Sequence, residues 1–175
     1  MFEKVVSLPA TALDEICQFY QDICEHQAQD AYSPDWHWGV YPSREVLAEK
    51  LQQGKFLAGY QNGQIAAAGV LTVGEDSDYR GVPFVHVVPD DQIGVLHIFA
   101  VHPNFRGHGT ALTMMQAILD QARADGLAVV HLDVMPSNVP AEKLYQRSGY
   151  TLAADVTLHY TDIGDTPARI YECKL

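Results

Sequence analysis

Apolar residues recur along this chain with two different periods, and the switches between them mark out its elements. Met1–Leu8 reads as a short strand stopped by Pro9. From Leu13 the apolar side chains return every three or four residues (Leu13, Ile16, Cys17, Tyr20, Ile23, Cys24). That spacing predicts a helix with one buried face, capped by Thr11 and fraying over Gln27–Asp30. Ser43 is the expected N-cap of a second helix, through Leu47 and Leu51 to a C-cap at Gly54. Lys55–Tyr60 and Gln64–Val73 read as strands joined by Gln61-Asn62-Gly63, a strong hairpin signal because Asn and Gly accept the positive φ of a tight turn. A strand at Val95–Val101 precedes a helix from Thr110 to about Asp125, whose apolar stripe is Ala111, Leu112, Met115, Ile118, Leu119 and Ala122 and which Gly126 ends. Leu127–Met135 is a near-continuous apolar strand interrupted by His131 and Asp133. A helix over Val139–Ser148 follows, closed by Gly149. Tyr150–Tyr160 and Ala168–Leu175 then predict a hairpin around Asp162–Pro167.

Two stretches have no period. Ala31–Ser43 crowds Tyr32, Trp36, Trp38 and Tyr41 around two prolines and a glycine, so an irregular loop is expected. Its aromatics either line a ligand pocket or roof the core. Gly74–Asp91, with Pro83 and Pro89, is a long connection whose middle (PFVHVVP) suits either an extra strand or a lid. No repeat, linker or low-complexity run divides the chain. The expectation is one α/β domain over residues 1–175.

Composition narrows the function classes. Hydrophobic content of 47% with 19% charged residues is that of a globular protein, and no apolar run approaches a membrane span. The N-terminal stretch lacks the layout of a signal peptide, so a cytoplasmic location is expected. Cys17, Cys24 and Cys173 form neither a disulfide framework nor a paired zinc motif. A net charge of −11, with no basic patch, argues against nucleic acid as a partner. The same acidity could attract amines or basic peptide ends, or simply maintain solubility.

The chemistry is concentrated where the Val95–Val101 strand runs through His102-Pro103 into Arg106, Gly107 and Gly109 and then a helix. Strand, glycine loop and helix N-terminus bind phosphate, because unpaired N–H groups and the positive end of the helix dipole meet the anion there. The loop is not a P-loop, since no GxxxxGK[ST] occurs. It is not the dinucleotide fingerprint either, since Leu112 stands at the third glycine position. Arg106-Gly107-His108-Gly109-Thr110-Ala111 resembles the R/Q-x-x-G-x-G/A signature of the GNAT-type N-acetyltransferases. Asn138, Ala141, Leu144-Tyr145 and Ser148-Gly149-Tyr150 resemble that family's later motif, at the family's intervals. The resemblance is specific from about Val95 to Tyr150.

The resemblance implies a GNAT-like fold: a mixed, mostly antiparallel sheet with a splayed parallel pair of central strands, flanked by helices. It implies acetyl-CoA as cosubstrate and no metal. The arm of the cosubstrate would lie against Phe99, Ala100 and Val101, and its pyrophosphate on Arg106, Gly107, His108, Gly109, Thr110, Ala111 and Leu112, with Asn138 bonding the arm or capping its helix. Tyr145 falls where the family commonly carries the general acid. Val95 occupies the common glutamate position, so that base is missing. His97, on the face expected for Val95, and Asp133, five residues before Asn138, are the alternative proton acceptors. His97, His131 and Asp133 could also face one another as a metal triad, a weaker reading. The expected acceptor is a primary amine of a small molecule or peptide. A non-catalytic acyl-CoA-binding or regulatory module is the alternative, and edge strands at the C-terminal hairpin make a homodimer an option.

Overall fold

The computed structural model describes all 175 residues. In chain order it forms β1 (Lys4–Ser7), α1 (Leu13–His26), α2 (Arg44–Gln53), β2 (Gly54–Gln61), β3 (Gln64–Val73), β4 (Ile93–Val101), α3 (Thr110–Ala124), β5 (Val129–Val134), α4 (Val139–Arg147), β6 (Thr151–Tyr160) and β7 (Gly164–Lys174). These strands make one seven-stranded sheet in the order β1-β2-β3-β4-β5-β7-β6. All neighbours are antiparallel except β4 and β5. Asn62 and Gly63, at φ 54° and 71°, make the expected hairpin turn.

Alternation along the strands gives the sheet two apolar faces. On one, α3 and α4 pack Met115, Ile118 and Tyr145 against Leu71, Leu96 and Leu132. The other is shared. Over the first four strands, α1 and α2 supply Ile16, Tyr20 and Leu47 against Phe56, Val70 and Ile98. Over the rest, the connection between β3 and β4 brings Tyr79, Phe84 and Val88 onto Val95, Val129, Leu158 and Ile170. That connection is not a strand. It has short 3-10 turns at Ser77–Tyr79 and Asp90–Gln92, and between them it is pinned to the sheet by polar groups. His86 donates its backbone N–H to Glu172 Oε1 at 3.1 Å, and its Nδ1 lies 2.5 Å from Oε2. Phe84 stacks flat on the His131 ring at 3.7 Å.

Two irregularities shape the middle of the sheet. The parallel pair is hydrogen-bonded only over Ile93, Gly94 and Val95 of β4, opposite Val129, Val130 and His131, and beyond them the strands part. On its other side, β4 carries an extra residue: Val70 faces His97, yet Ala68 faces Ala100. This bulge puts Ile98 at φ 45°, a conformation a β-branched residue adopts only under constraint. The buried Tyr20 hydroxyl donates to the Ile98 carbonyl at 2.6 Å and holds it there. Alternation is reset as a result, so Leu96, Phe99 and Val101 face α3, while Ile98 and Ala100 face α1.

Several local expectations need correction. Thr11 lies in a 3-10 turn and caps nothing; α1 starts after Ala12 with no side-chain cap. Gly54 is the C-cap of α2 as expected, its N–H bonding the Lys50 carbonyl, but it is extended, at φ −156°, and also opens β2. In α3 the buried stripe includes Thr110 and Met114, while Leu112, at the edge of that stripe, is exposed. β7 begins at Gly164 and contains Pro167, which pairs with Thr157 on β6. β5 meets β7 only from Arg169 onward, so no ladder bond from β5 requires the missing N–H of Pro167. Ser43 caps α2 as expected, accepting from the Val46 N–H at 3.3 Å.

Candidate active site

Where β4 and β5 part, a cavity of about 540 Å³ opens between them. Its walls are Leu96–Val101 of β4, Asp133–Met135 at the end of β5, and Asn138, Ala141 and Tyr145 of α4 and the turn before it. Tyr32, Trp36 and Tyr41 of the aromatic loop and Tyr160 and Asp162 of the C-terminal hairpin close it. Trp36 and Tyr41 also pack on the α1 core, together with Trp38, so the same loop both roofs the core and walls the cavity.

At one end lies the glycine loop. Gly107 and Gly109 have φ of 87° and 76°, and a Cβ on either would meet nothing within 4 Å. Glycine is required there by backbone conformation, not by crowding. Gly109 is the N-cap of α3 and offers no side chain, and the first bond of that turn is Thr113 N–H to the Gly109 carbonyl at 3.0 Å. The N–H groups from Gly107 to Leu112 donate to no protein acceptor, which leaves the dipole end of a fifteen-residue helix open to an anion. These free N–H groups are the kind of donors a pyrophosphate would require. Around this end His108 is exposed, Thr110 is buried and Ala111 lines the cavity. Arg106 faces away from the helix end: its Nε donates to the Val101 carbonyl at 3.1 Å and its Nη1 to Asp30 at 2.7 Å. Asn138 Oδ1 accepts weakly from Ala141 N–H at 3.4 Å, so the residue caps α4 while lining the cavity.

At the centre, Tyr145 is 7% exposed, and burial, reinforced by the charge of Asp133, pushes its phenol well above the ordinary range. It stays protonated and able to donate. Asp133 accepts from the hydroxyls of Tyr79 and Tyr160, each at 2.5 Å. Burial raises its pKa, and these two hydrogen bonds oppose the rise. His97 Nε2 lies 3.0 Å from the Thr72 hydroxyl, and burial, helped by the Lys50 charge, lowers its pKa to about 4. Val95 is fully buried beneath the β3–β4 connection and does not reach the cavity. His131 is also fully buried, with Nδ1 2.9 Å from Glu75 Oε2. The three groups of the metal reading thus turn to separate partners, and no cluster of three metal-ligating side chains forms.

Tyr79, Tyr160 and Asp162 carry no signal in the sequence that marks them as site residues. Each stands outside the recognisable motif, and only the tertiary fold brings it to Asp133 and His97. The polar tips of Tyr32, Trp36 and Tyr41 in a turn-rich loop were the available signal for that wall.

Comparison with known proteins agrees with this geometry. The model of the acetyltransferase (GNAT) family matches residues 13–150. A mycothiol acetyltransferase from Brachybacterium faecium is 32% identical over 75 residues, which is 42% of this chain and 23% of that protein. The match thus spans about a quarter of the relative's length. Among solved structures, a GNAT-family acetyltransferase from Streptococcus agalactiae superposes with a TM-score of 0.81 at 18% identity, covering 100% of this chain and 98% of that one. A Salmonella typhimurium protein solved with its cofactor acetyl-CoA superposes with a TM-score of 0.67 at 15% identity, covering 98% and 93%. No helix here is long and apolar enough to cross a membrane. With its splayed parallel pair, its open helix end and a family match over most of its length, the chain belongs to the GNAT acetyltransferase family.

Proposed function

We propose that the protein is an acetyl-CoA-dependent N-acetyltransferase, moving an acetyl group to a primary amine by direct attack within a ternary complex. The observation that carries this reading is the cleft between β4 and β5, which joins an open helix N-terminus at one end to a protonated Tyr145 at its centre. The N–H groups of Gly107–Leu112 hold the pyrophosphate. The backbone of Phe99, Ala100 and Val101, left without a partner strand where β5 diverges, runs beside the amide-bearing arm. Arg106, tied to Val101 and Asp30, braces that segment and sets the loop's position. Acetyl-CoA supplies an activated acyl group as a thioester. Backbone N–H groups near Val101 polarise its carbonyl, and Tyr145 gives a proton to the departing sulfur.

The amine must first lose a proton. Asp133 is the better of the two expected acceptors. Its carboxylate lines the cleft, burial strengthens it as a base, and two tyrosine hydroxyls fix its orientation. His97, at about 4, is too weak a base to draw a proton from an alkylammonium and serves as a neutral hydrogen-bonding wall.

A coenzyme A release assay across a panel of amines tests the reading, with Tyr145→Phe as the diagnostic variant. The expected result is a loss of roughly 100-fold in kcat, with acetyl-CoA affinity kept within about threefold. The fully buried Val95 at the usual base position favours a second reading, a non-catalytic acyl-CoA-binding module. Tight acetyl-CoA binding without turnover of any amine would establish that one.

A further inference from the structure

A second, smaller cavity of about 190 Å³ adjoins the cleft, and the two share Tyr41, His97, Asp133, Tyr160 and Asp162 as a common wall. Ligand sites are typically about 300–1,000 Å³, so this volume suits one arm of a substrate and not a whole one. Its lining is acidic. Asp76, Asp78, Asp133 and Asp162 face Lys50 as the single permanent cation, and burial lowers the pKa of that lysine. His97 is neutral at physiological pH, and His159 lies on the rim, 2.7 Å from Asp165. Burial raises the Tyr41 phenol first, and the charges of Asp133, Asp162 and Asp76 raise it further.

Asp162 is the residue this surface does not explain. Its side chain is 4% exposed, yet its Oδ2 has no hydrogen-bond partner. His37 Nδ1 stands 3.5 Å away, within ion-pair range but outside hydrogen-bond geometry. Burying a carboxylate oxygen with no donor is costly, and such atoms are rare in folded proteins. Asp133, by contrast, has both oxygens occupied by tyrosines. Asp162 lines both cavities, and a side-chain rotation that brings this oxygen to a bound cation would give it a partner.

We infer that the acidic chamber is the distal subsite for an acceptor with two cationic groups, a short alkyl diamine or its guanidino counterpart. The reacting amine lies in the cleft, and the distal cation lies in the chamber on Asp162, Asp76 and Asp78. The inference rests on the amine-acceptor reading above and assigns its substrate class. It follows that chain ends bearing carboxylates are excluded by charge, and monoamines are poor substrates because they leave Asp162 unpartnered.

Paired substrates test it: diaminobutane and diaminopentane against butylamine and pentylamine, with aminobutyrate as the anionic counterpart. The wild-type protein should show a kcat/KM for each diamine at least about tenfold above its monoamine, with aminobutyrate lowest. Asp162→Asn should reduce the diamine-to-monoamine ratio by about tenfold or more, Asp76→Asn should reduce it less, and Asp162→Glu should restore part of it. Equal kcat/KM for diamine and monoamine in the wild type overturns the inference, and that comparison needs no variant to fold. So does a ratio unchanged in Asp162→Asn. If no amine is acetylated, the enzymatic reading fails, and calorimetry with diaminobutane on the coenzyme A-loaded protein still decides the subsite. Binding that Asp162→Asn weakens about tenfold supports it, and binding absent or unaltered overturns it.

Discussion

Ile98 is where a single side chain sustains the geometry of the cleft. Its φ of 45° costs on the order of 1–3 kcal/mol for a β-branched residue and persists only because its surroundings over-determine it. The Tyr20 hydroxyl, reaching 2.6 Å to the Ile98 carbonyl from α1, is the specific restraint. Tyr20→Phe should therefore lower stability by about 1–2 kcal/mol in denaturant unfolding and raise KM for acetyl-CoA, since the bulge presents the strand edge to the cleft. His97 makes a separate, pH-dependent contribution. Its folded pKa of about 4 lies below the unfolded value of about 6.5, so the unfolded chain binds the extra proton first. Stability should fall as pH drops below about 6.5 and level off below about 4, a change on the order of 3 kcal/mol. His97→Gln should flatten that part of the pH–stability curve measured by urea unfolding. At this scale the sequence was readable where function is contiguous. Arg106, Ala111, Asn138 and Tyr145 sit at fixed spacings, and the fold puts them around one cavity. Tyr79 and Tyr160 carry no such spacing, because their hydrogen bonds to Asp133 exist only across separate elements, and Asp162 joins them only in the wall of the folded cavity.

At the scale of elements, the glycine loop and the β3–β4 connection show two ways of building a site wall. The loop works by backbone conformation alone. Gly109→Ala meets no neighbour, so its expected cost is the positive φ itself, about 1 kcal/mol in stability. Acetyl-CoA affinity, by titration calorimetry, should drop several-fold more than amine affinity, because the N–H groups it aims at the anion are re-oriented. The connection is held the opposite way, by side chains. Glu172, 2% exposed, takes two contacts from His86 and lies 3.7 Å from His131 Nε2. Glu172→Ala leaves both histidines without it and should cost about 3 kcal/mol. Hydrogen exchange should then accelerate over residues 82–88 before the central strands. This contrast also explains what the hydrophobic pattern conveyed. The Asn62-Gly63 hairpin and the three long helices were legible because a period repeats across them. The connection had no period to read, since its fastening depends on His86, Phe84 and a glutamate from the last strand. The bulge in β4 was hidden for the same reason: only the register against β3 reveals the extra residue.

Over the whole molecule, the net charge of −11 acts in opposite directions on the two substrates of the proposed reaction. A polyanionic acyl donor approaches an acidic protein against its long-range field, and its binding relies on short-range groups, the free N–H donors and dipole of α3. A cationic acceptor is drawn in by that same field and then by the carboxylates of Asp76, Asp78 and Asp162. Salt screens long-range terms far more than buried contacts. Raising ionic strength from about 0.05 M to about 0.5 M shortens the Debye length to roughly a third, which removes most of the field beyond the cavity mouth. KM for a diamine should then rise about three- to tenfold, while KM for acetyl-CoA should stay level or fall. Steady-state kinetics in potassium chloride at fixed pH measures both constants. Parallel increases in the two would mean that both substrates bind through exposed charge, and the division of labour between the open helix end and the acidic chamber would be wrong. Divergent salt dependence is what a cleft with a neutral anion cradle at one end and unpartnered carboxylate at the other requires.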